Sequence, residues 1–189
     1  MNKVNIGSYF ERLISGDWGE EQIDLKHTEA VSCVRGTDIE YLNTGHGKKV
    51  PTRFISTNSL EKKKLLTGNI IIEISGGSTN QSTGRNTIIK ETENNEYPIV
   101  CSNFCRALEV KKDFDESFVY YSLQNIYNQN ILFNFEGKTS GIKNLDLEAC
   151  FDGISVPFFE KSDQSKIANI LLSIDDQIRL DNELNSKLI

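Results

Sequence analysis

The sequence predicts an α/β protein of the α+β kind, with a mixed, mostly antiparallel sheet followed by a long C-terminal coiled-coil helix. An apolar, β-branched run at 70–74 is typical of a buried strand, and a second strand resumes at 86–90. Asp113 or Asp115 can cap a helix over about 116–128. Residues 162–189 contain neither glycine nor proline, which favours one continuous helix.

The remaining elements follow in order from weaker local patterns. A short amphipathic helix is predicted over 8–15, and Ser59 is predicted to cap another that ends near Leu65. Pro51 favours a loop or an edge strand around it. Further strands are predicted over 30–34, over 99–110 as one or two strands, and over 154–158.

Length and composition indicate one domain, or one domain with an appendage, among 189 residues. We therefore expect a domain over 1–158 and a separate helix over 159–189. No apolar run reaches the roughly 18 residues that span a bilayer, and the N-terminus lacks the apolar core of a signal peptide. These features predict a cytoplasmic protein.

Motifs for catalysis and metal binding do not stand out. The cysteines match no common zinc or redox spacing and are expected to be buried thiols. His27 and His46 share no spacing with them, so no metal site is predicted. There is no phosphate-binding P-loop and no nucleophilic triad, so no catalytic residue is proposed. The four cysteines are Cys33, Cys101, Cys105 and Cys150.

Charge is distributed unevenly along the chain, although the net charge is −6. Residues 31–90 carry nine Lys/Arg against four Asp/Glu, whereas residues 146–189 carry four against nine. Because an anionic partner responds to the local field, the basic segment is the candidate contact region for nucleic acid.

Two polar, glycine-flanked loops are candidate contact elements. Residues 75–85 join the strands at 70–74 and 86–90 and contain no apolar side chain. This tip is either a solvated loop or a polar recognition element carried on a rigid strand. Residues 137–144 form the second loop, with Asn144 as the predicted cap of a short helix. This loop is either a phosphate site or an ordinary turn into a helix.

An apolar stripe marks the C-terminal helix as an assembly device. Its members step by four, three and four residues, which is the spacing of a coiled-coil seam. The alternative is a helix that folds back onto its own domain. The predicted dimer stripe is Ile167, Leu171, Ile174 and Ile178, continued by Leu184 and Leu188.

Taken together, these segments resemble the specificity subunit of type I restriction–modification systems, over essentially the whole chain. The resemblance lies in segments 35–39, 68–72, 75–78, 83–85, 101–104, 141–145, 154–157, 164–168 and 172–178. The most recognisable part is the junction of strand and helix, formed by Pro157, Gln164, Ile167, Ala168, Leu171 and Asp175.

The resemblance implies a target recognition domain followed by one spacer helix. In the family, two such halves occupy one chain, and each domain reads one half of a split double-stranded DNA site. Methylation subunits carry S-adenosylmethionine, and further subunits that use ATP and Mg²⁺ add restriction. The specificity subunit itself is expected to catalyse nothing and to bind no cofactor. This chain corresponds to one half, either as a fragment or as a half-subunit that forms a homodimer through its helix. No membrane partner is expected.

DNA contacts are expected from two kinds of side chain. Gln81 and Arg85 are of the types that pair bidentately with adenine and guanine, with Arg35, Ser78, Asn80 and Thr83 as weaker candidates. Lysines would meet phosphates and position the protein. The further contact residues are Lys48, Lys49, Arg53, Lys138, Thr139 and Lys143.

Two other functions stay open. One is a recognition domain detached from a single-chain type II restriction–methyltransferase, which the absence of a neighbouring methyltransferase gene would favour. The other is a small-molecule enzyme that holds an anion in the glycine-rich loop, which nucleotide binding without DNA would favour.

Overall fold

The structure, a computed structural model, describes residues 2–44, 49–76, 81–90, 96–139 and 142–187. The strands in these ranges are β1 (Lys3–Asn5), β2 (Phe10–Ser15), β3 (Glu29–Val34), β4 (Thr52–Ile55), β5 (Ile70–Glu73), β6 (Ser75–Gly76), β7 (Asn86–Ile88), β8 (Ile99–Cys101), β9 (Cys105–Val110), β10 (Glu136–Thr139), β11 (Ile142–Leu145) and β12 (Ser155–Pro157). The α-helices are α1 (Ile39–Thr44), α2 (Thr57–Lys63), α3 (Glu116–Asn128), α4 (Leu147–Gly153) and α5 (Lys161–Lys187).

The central sheet is antiparallel, with the strand order β2-β9-β5-β7. Ile70 pairs with Ile88 of β7 on one side and with Leu108 of β9 on the other. Strand β5 is therefore interior, which explains why its β-branched side chains are fully buried. The predicted strand pair at 70–74 and 86–90 is confirmed.

A second sheet has the order β4-β3-β8 and contains the one parallel pair among the described strands, β3 with β8. Strand β4 is at its edge, which suits the adjacent Pro51. Two smaller antiparallel sheets, β10-β11-β6 and β1-β12, complete the set. The predicted mixed, mostly antiparallel architecture is thus confirmed.

Helix α3 covers the central sheet and supplies one side of the main core. The carboxylate of Asp115 caps it by accepting a hydrogen bond from the Phe118 amide at 3.0 Å. Leu123 and Ile126 are buried in the same cluster as Ile70. The predicted helix and its cap are confirmed.

Residues 8–15 do not form the predicted helix. They end a short 3-10 helix (Ile6–Tyr9) and form strand β2, which pairs with β9 through a bulge near Phe10. Apolar residues at these positions fit a helix as well as a bulged strand, and pairing with β9 decides between them.

Two predicted helix caps are displaced. Ser56, not Ser59, caps α2 and accepts the Ser59 amide, while the Ser59 hydroxyl bonds to Asp17. Asp146, not Asn144, caps α4. The predicted loop at 137–144 was wrong in its described part, because these residues pair as the strands β10 and β11.

The long C-terminal helix is confirmed as α5, and its first half docks on the domain. Gln164 is 0 % exposed and Ala168 is 1 % exposed. Further along, the Tyr121 hydroxyl donates a 2.7 Å hydrogen bond to Asp175. Burial and this bond both raise the pKa of Tyr121. Beyond this contact the helix is mostly exposed.

The residues of the predicted dimer stripe differ in exposure along α5. Ile167 and Leu171 are half-buried, and Ile167 packs against the main core. Ile174, Ile178 and Leu184 are 51 %, 53 % and 59 % exposed. Leu188 lies outside the described residues. The division into units 1–158 and 159–189 stays a prediction.

The four cysteines are free and buried, as expected. Burial raises the pKa of each thiol to about 12, so all four are protonated at neutral pH. None of the described helices is long and apolar enough to cross a membrane.

Candidate nucleic-acid interface

A cleft of about 430 Å³ opens beside the tip of the central hairpin. Two arginines from distant parts of the chain, Arg35 and Arg85, line it together with the carboxylate of Glu73. Trp18 and Phe104 add aromatic surface, and Phe104 is 58 % exposed. We call this site the arginine cleft. A second cleft of about 360 Å³, between 64–67 and 96–99, contains none of the predicted contact residues.

Arg85 is held by a buried carboxylate. Its Nε and Nη2 donate to the two oxygens of Glu73 at 2.9 and 2.7 Å. The hairpin creates this pair, because Glu73 ends β5 and its amide bonds to the Arg85 carbonyl at 2.8 Å. Hydrogen bonding to Glu73 raises the pKa of Arg85. The Arg85 side chain remains 20 % exposed, against 6 % for Glu73.

Arg35 is held in the same way at the end of β3. Its Nε and Nη2 donate to the two oxygens of Asp38 at 2.9 and 2.7 Å. The Asp38 side chain is 1 % exposed, whereas that of Arg35 is 35 % exposed. The 3-10 turn Gly36–Asp38 brings the carboxylate back to the arginine, since Asp38 also accepts the Arg35 amide at 2.9 Å.

Gly36 joins the two arginine pairs physically. A Cβ at this position would lie 2.2 Å from Oε1 of Glu73, far inside any allowed contact. Only a glycine lets the turn after β3 approach the hairpin carboxylate so closely. The turn that carries Arg35 therefore packs against the carboxylate that holds Arg85.

Arg53, a predicted DNA contact, lies inside the domain. It is 6 % exposed, and its guanidinium lies over the Trp18 ring at 4.2 Å. It donates to the Trp18 carbonyl at 3.1 Å and pairs with Glu21 at 3.0 Å. These contacts secure the loop that carries Trp18, so Arg53 supports the cleft wall.

Thr83 and Lys143 meet at a third buried carboxylate, Glu136. The Thr83 amide and hydroxyl donate to Oε1 of Glu136 at 2.6 and 3.0 Å, and Nζ of Lys143 lies 3.4 Å from Oε2. Lys143 also donates to the Gln81 carbonyl at 3.1 Å. The Lys143 side chain is only 12 % exposed, so it braces the hairpin tip from β11.

The other predicted contacts are less constrained. Gln81 is exposed, with Nε2 at 3.5 Å from the Tyr127 hydroxyl, and Lys49 is exposed. Lys48, Ser78 and Asn80 lie outside the described residues. Lys138 and Thr139 belong to β10, but their side chains are outside the described part.

Sequence reasoning identified the two arginines but missed the carboxylates that hold them. Glu73 had a usable signal, because it interrupts a run of isoleucines on an interior strand. A carboxylate at such a position needs a cationic or hydrogen-bonding partner. Asp38, three residues after Arg35, matches the spacing of a local ion pair. The described residues include no group of three or more metal-ligating side chains.

Comparison with known proteins relates most of the chain to one family. Residues 35–188 match the model described as "Type I restriction modification DNA specificity domain". No curated protein matches the chain significantly.

Among solved structures, the chain is similar to a type I restriction–modification S subunit from M. genitalium, with 23 % identity and a TM-score of 0.61. That match covers 99 % of this chain and 43 % of the other. The HsdS subunit from Thermoanaerobacter tengcongensis shares 12 % identity at a TM-score of 0.56, over 94 % of this chain and 38 % of that one. The chain therefore spans about two fifths of the solved chains that it matches.

Proposed function

The chain belongs to the family of type I restriction–modification DNA specificity domains, and from this premise we propose that it reads one half of a bipartite DNA target. In this proposal it directs methylation and restriction subunits to that target. The family match also confirms the resemblance drawn from the sequence.

The arginine cleft is the observation that carries the proposal. Arg35 and Arg85 come from segments far apart in sequence, yet they meet beside exposed aromatic surface at a hairpin tip. Arginine is the side chain that most often reads base edges, and aromatic rings contact base faces. Gln81 lies on the same hairpin tip as Arg85 and would contribute a further base contact.

In this proposal, lysines supply the phosphate contacts. Lys49 is exposed, and Lys48 and Lys138 belong to the same basic and glycine-rich segments. Arg53, Thr83 and Lys143 act indirectly, because their polar groups already bond within the domain. Ser78, Asn80 and Thr139 complete the proposed contact surface.

Specificity subunits generally catalyse nothing themselves, and we propose the same for this chain. S-adenosylmethionine, ATP and Mg²⁺ would be bound by partner subunits. The chain would supply sequence recognition and a docking platform.

The test is methylation in cells that express the chain with a methylation subunit that binds it. We expect methylated bases within a single bipartite motif, and none with either protein alone. Sequencing that detects modified bases gives both results. Base methylation by the purified chain with S-adenosylmethionine would contradict the proposal, as would co-expression that methylates no defined motif.

We also propose that two copies pair through α5. Ile170, Ile174 and Ile178 follow one face at four-residue intervals and are 63 %, 51 % and 53 % exposed. Fully burying an exposed isoleucine contributes about 1.5–3 kcal/mol. These side chains are already about half covered, so an antiparallel partner helix would add roughly half of that for each. A two-fold pair would present two arginine clefts and read an inverted repeat with a fixed gap.

The double variant Ile174→Asp, Ile178→Asp is expected to remain folded but monomeric, and to bind DNA far more weakly than the wild type. Sedimentation equilibrium at micromolar concentration measures the association. The matched control, Ser173→Asp with Leu180→Asp, adds the same charges on another exposed face of α5 and should stay dimeric. A wild-type chain that is monomeric at about 100 μM would contradict the pairing of two copies at micromolar concentration.

A further inference from the structure

Both cleft arginines present the same edge, which bonds to no acceptor in the part of the chain that the structure describes. A guanidinium carries five N–H groups in one plane. In Arg35 and in Arg85, Nε and Nη2 each give one hydrogen to the oxygens of a single carboxylate. The two hydrogens of Nη1 and the second hydrogen of Nη2 remain for other acceptors. This outer edge offers two parallel donors.

Two parallel donors discriminate among base edges. In the major groove, guanine shows two neighbouring acceptors, N7 and O6. Adenine shows an acceptor beside a donor, so one of its groups would oppose an arginine hydrogen. Cytosine presents a donor, and thymine one acceptor beside a methyl group. A guanidinium fixed in this way is therefore complementary to guanine.

The buried carboxylates distinguish these two arginines from the others described. Arg53 and Arg179 pair with carboxylates that are exposed, those of Glu21 and Asp176. Arg12 and Arg106 donate to main-chain carbonyls. The side chains of Asp38 and Glu73 are only 1 % and 6 % exposed. Two hydrogen bonds to such a buried carboxylate hold the orientation of each guanidinium plane before DNA binds. Less rotamer freedom is then lost on binding.

We infer that the arginine cleft makes the target half-site guanine-containing, with Arg35 and Arg85 each reading one guanine and with Asp38 and Glu73 as their positioning residues. This inference rests on the proposed function and specifies the base class that the site recognises. The two guanines lie close together in the half-site, on the same or opposite strands, because both arginines line one cleft and the turn of Arg35 packs against Glu73.

Selection from a pool of random DNA duplexes tests the inference. The full chain is used, alone and with a methylation subunit that binds it. The wild type is expected to enrich duplexes with at least two fixed guanines per half-site. Arg85→Ala and Arg35→Ala should each relax one of these positions, by about 5- to 150-fold in discrimination. Arg12→Ala, which changes an arginine outside the cleft, should leave all positions intact.

The variant Glu73→Gln distinguishes a role of Glu73 in positioning Arg85 from the effect of its negative charge on DNA affinity. Removing a negative charge near DNA raises affinity for all sequences alike. A positioning role instead lowers discrimination at the guanine assigned to Arg85, because the amide offers one acceptor and one donor to the fork. Discrimination is compared with non-specific affinity in the same binding assay. Increased affinity with unchanged discrimination would overturn the role of Glu73.

A single-atom change in the DNA completes the test. Replacing the guanine assigned to Arg85 with 7-deazaguanine removes its N7 acceptor and should weaken wild-type binding by about 5- to 10-fold. The same replacement should leave the binding of the Arg85→Ala variant unchanged. An enriched motif whose guanines respond to neither arginine variant would overturn the inference and leave the proposed function standing. Failure to enrich any motif under either condition would overturn both.

Discussion

Gly16→Ala is expected to destabilise the domain by about 3 kcal/mol, since it forces overpacking against main-chain atoms. A Cβ at this position would lie 1.9 Å from the Ser102 carbonyl oxygen and 2.3 Å from its carbon. The neighbouring Asp17 amide bonds to the Cys101 carbonyl at 2.7 Å, so the turn cannot retreat without losing that bond. The midpoint of urea unfolding measures the effect.

Gly137→Ala is the matched control for Gly16→Ala. A Cβ there would lie 3.7 Å from the Asn144 carbonyl oxygen, an ordinary contact. The free energy of unfolding of Gly137→Ala should differ from that of the wild type by less than about 1 kcal/mol. Equal unfolding midpoints for the two variants would show that the turn at Gly16 adapts. Because this turn leads into Trp18, Gly16→Ala should also weaken DNA discrimination wherever the domain stays folded.

Gln164→Ala is expected to cost about 2–4 kcal/mol and to loosen α5 from the domain. The Gln164 side chain is 0 % exposed, accepts the Asp115 amide at 2.9 Å and donates to the Phe159 carbonyl at 2.8 Å. The variant removes the side-chain partner of both part-buried main-chain groups. Asp115 is affected further, since its carboxylate caps α3 and accepts the Ser165 hydroxyl at 2.8 Å.

Gln177→Ala provides the control on the same helix. Gln177 bonds only to exposed Asp181 among its described partners, at 2.9 Å, and its loss should change stability by less than about 0.5 kcal/mol. Urea unfolding compares the two variants, and amide exchange along α5 locates the loosening. If Gln164→Ala left α5 exchange unchanged, the Tyr121–Asp175 contact would be sufficient to dock the helix.

The predictable parts of the fold were those with strong local signals. Four isoleucines at 70–74 identified the interior strand, and Asp115 followed by an apolar face identified α3. The strand at 10–15 was missed because its apolar spacing fits a helix, and its pairing with β9 is encoded almost a hundred residues away. Ser56 and Ser59 are both able to cap a helix, and the bond from Ser59 to Asp17 separates them.

The residues of the candidate site were likewise predictable only in part. Residue type alone suggested Arg35 and Arg85, because arginine suits base edges. Their partners depend on how the hairpin and the turn after β3 fold, which spacing does not reveal for Glu73. The same limit explains Lys143, whose charge suggested a phosphate contact before the structure placed it beside Glu136. How the remaining exposed residues meet DNA stays a prediction.

The pairing of β1 with β12 has a consequence for biosynthesis. Lys3 lies opposite Pro157, and the Ile6 amide bonds to the Ile154 carbonyl at 2.9 Å. On a ribosome, β1 therefore emerges long before β12, the strand with which it pairs. Contacts this distant in sequence are slow to close. Helix α5 directly follows β12, so its exposed isoleucines emerge from the ribosome just as the recognition domain becomes able to close.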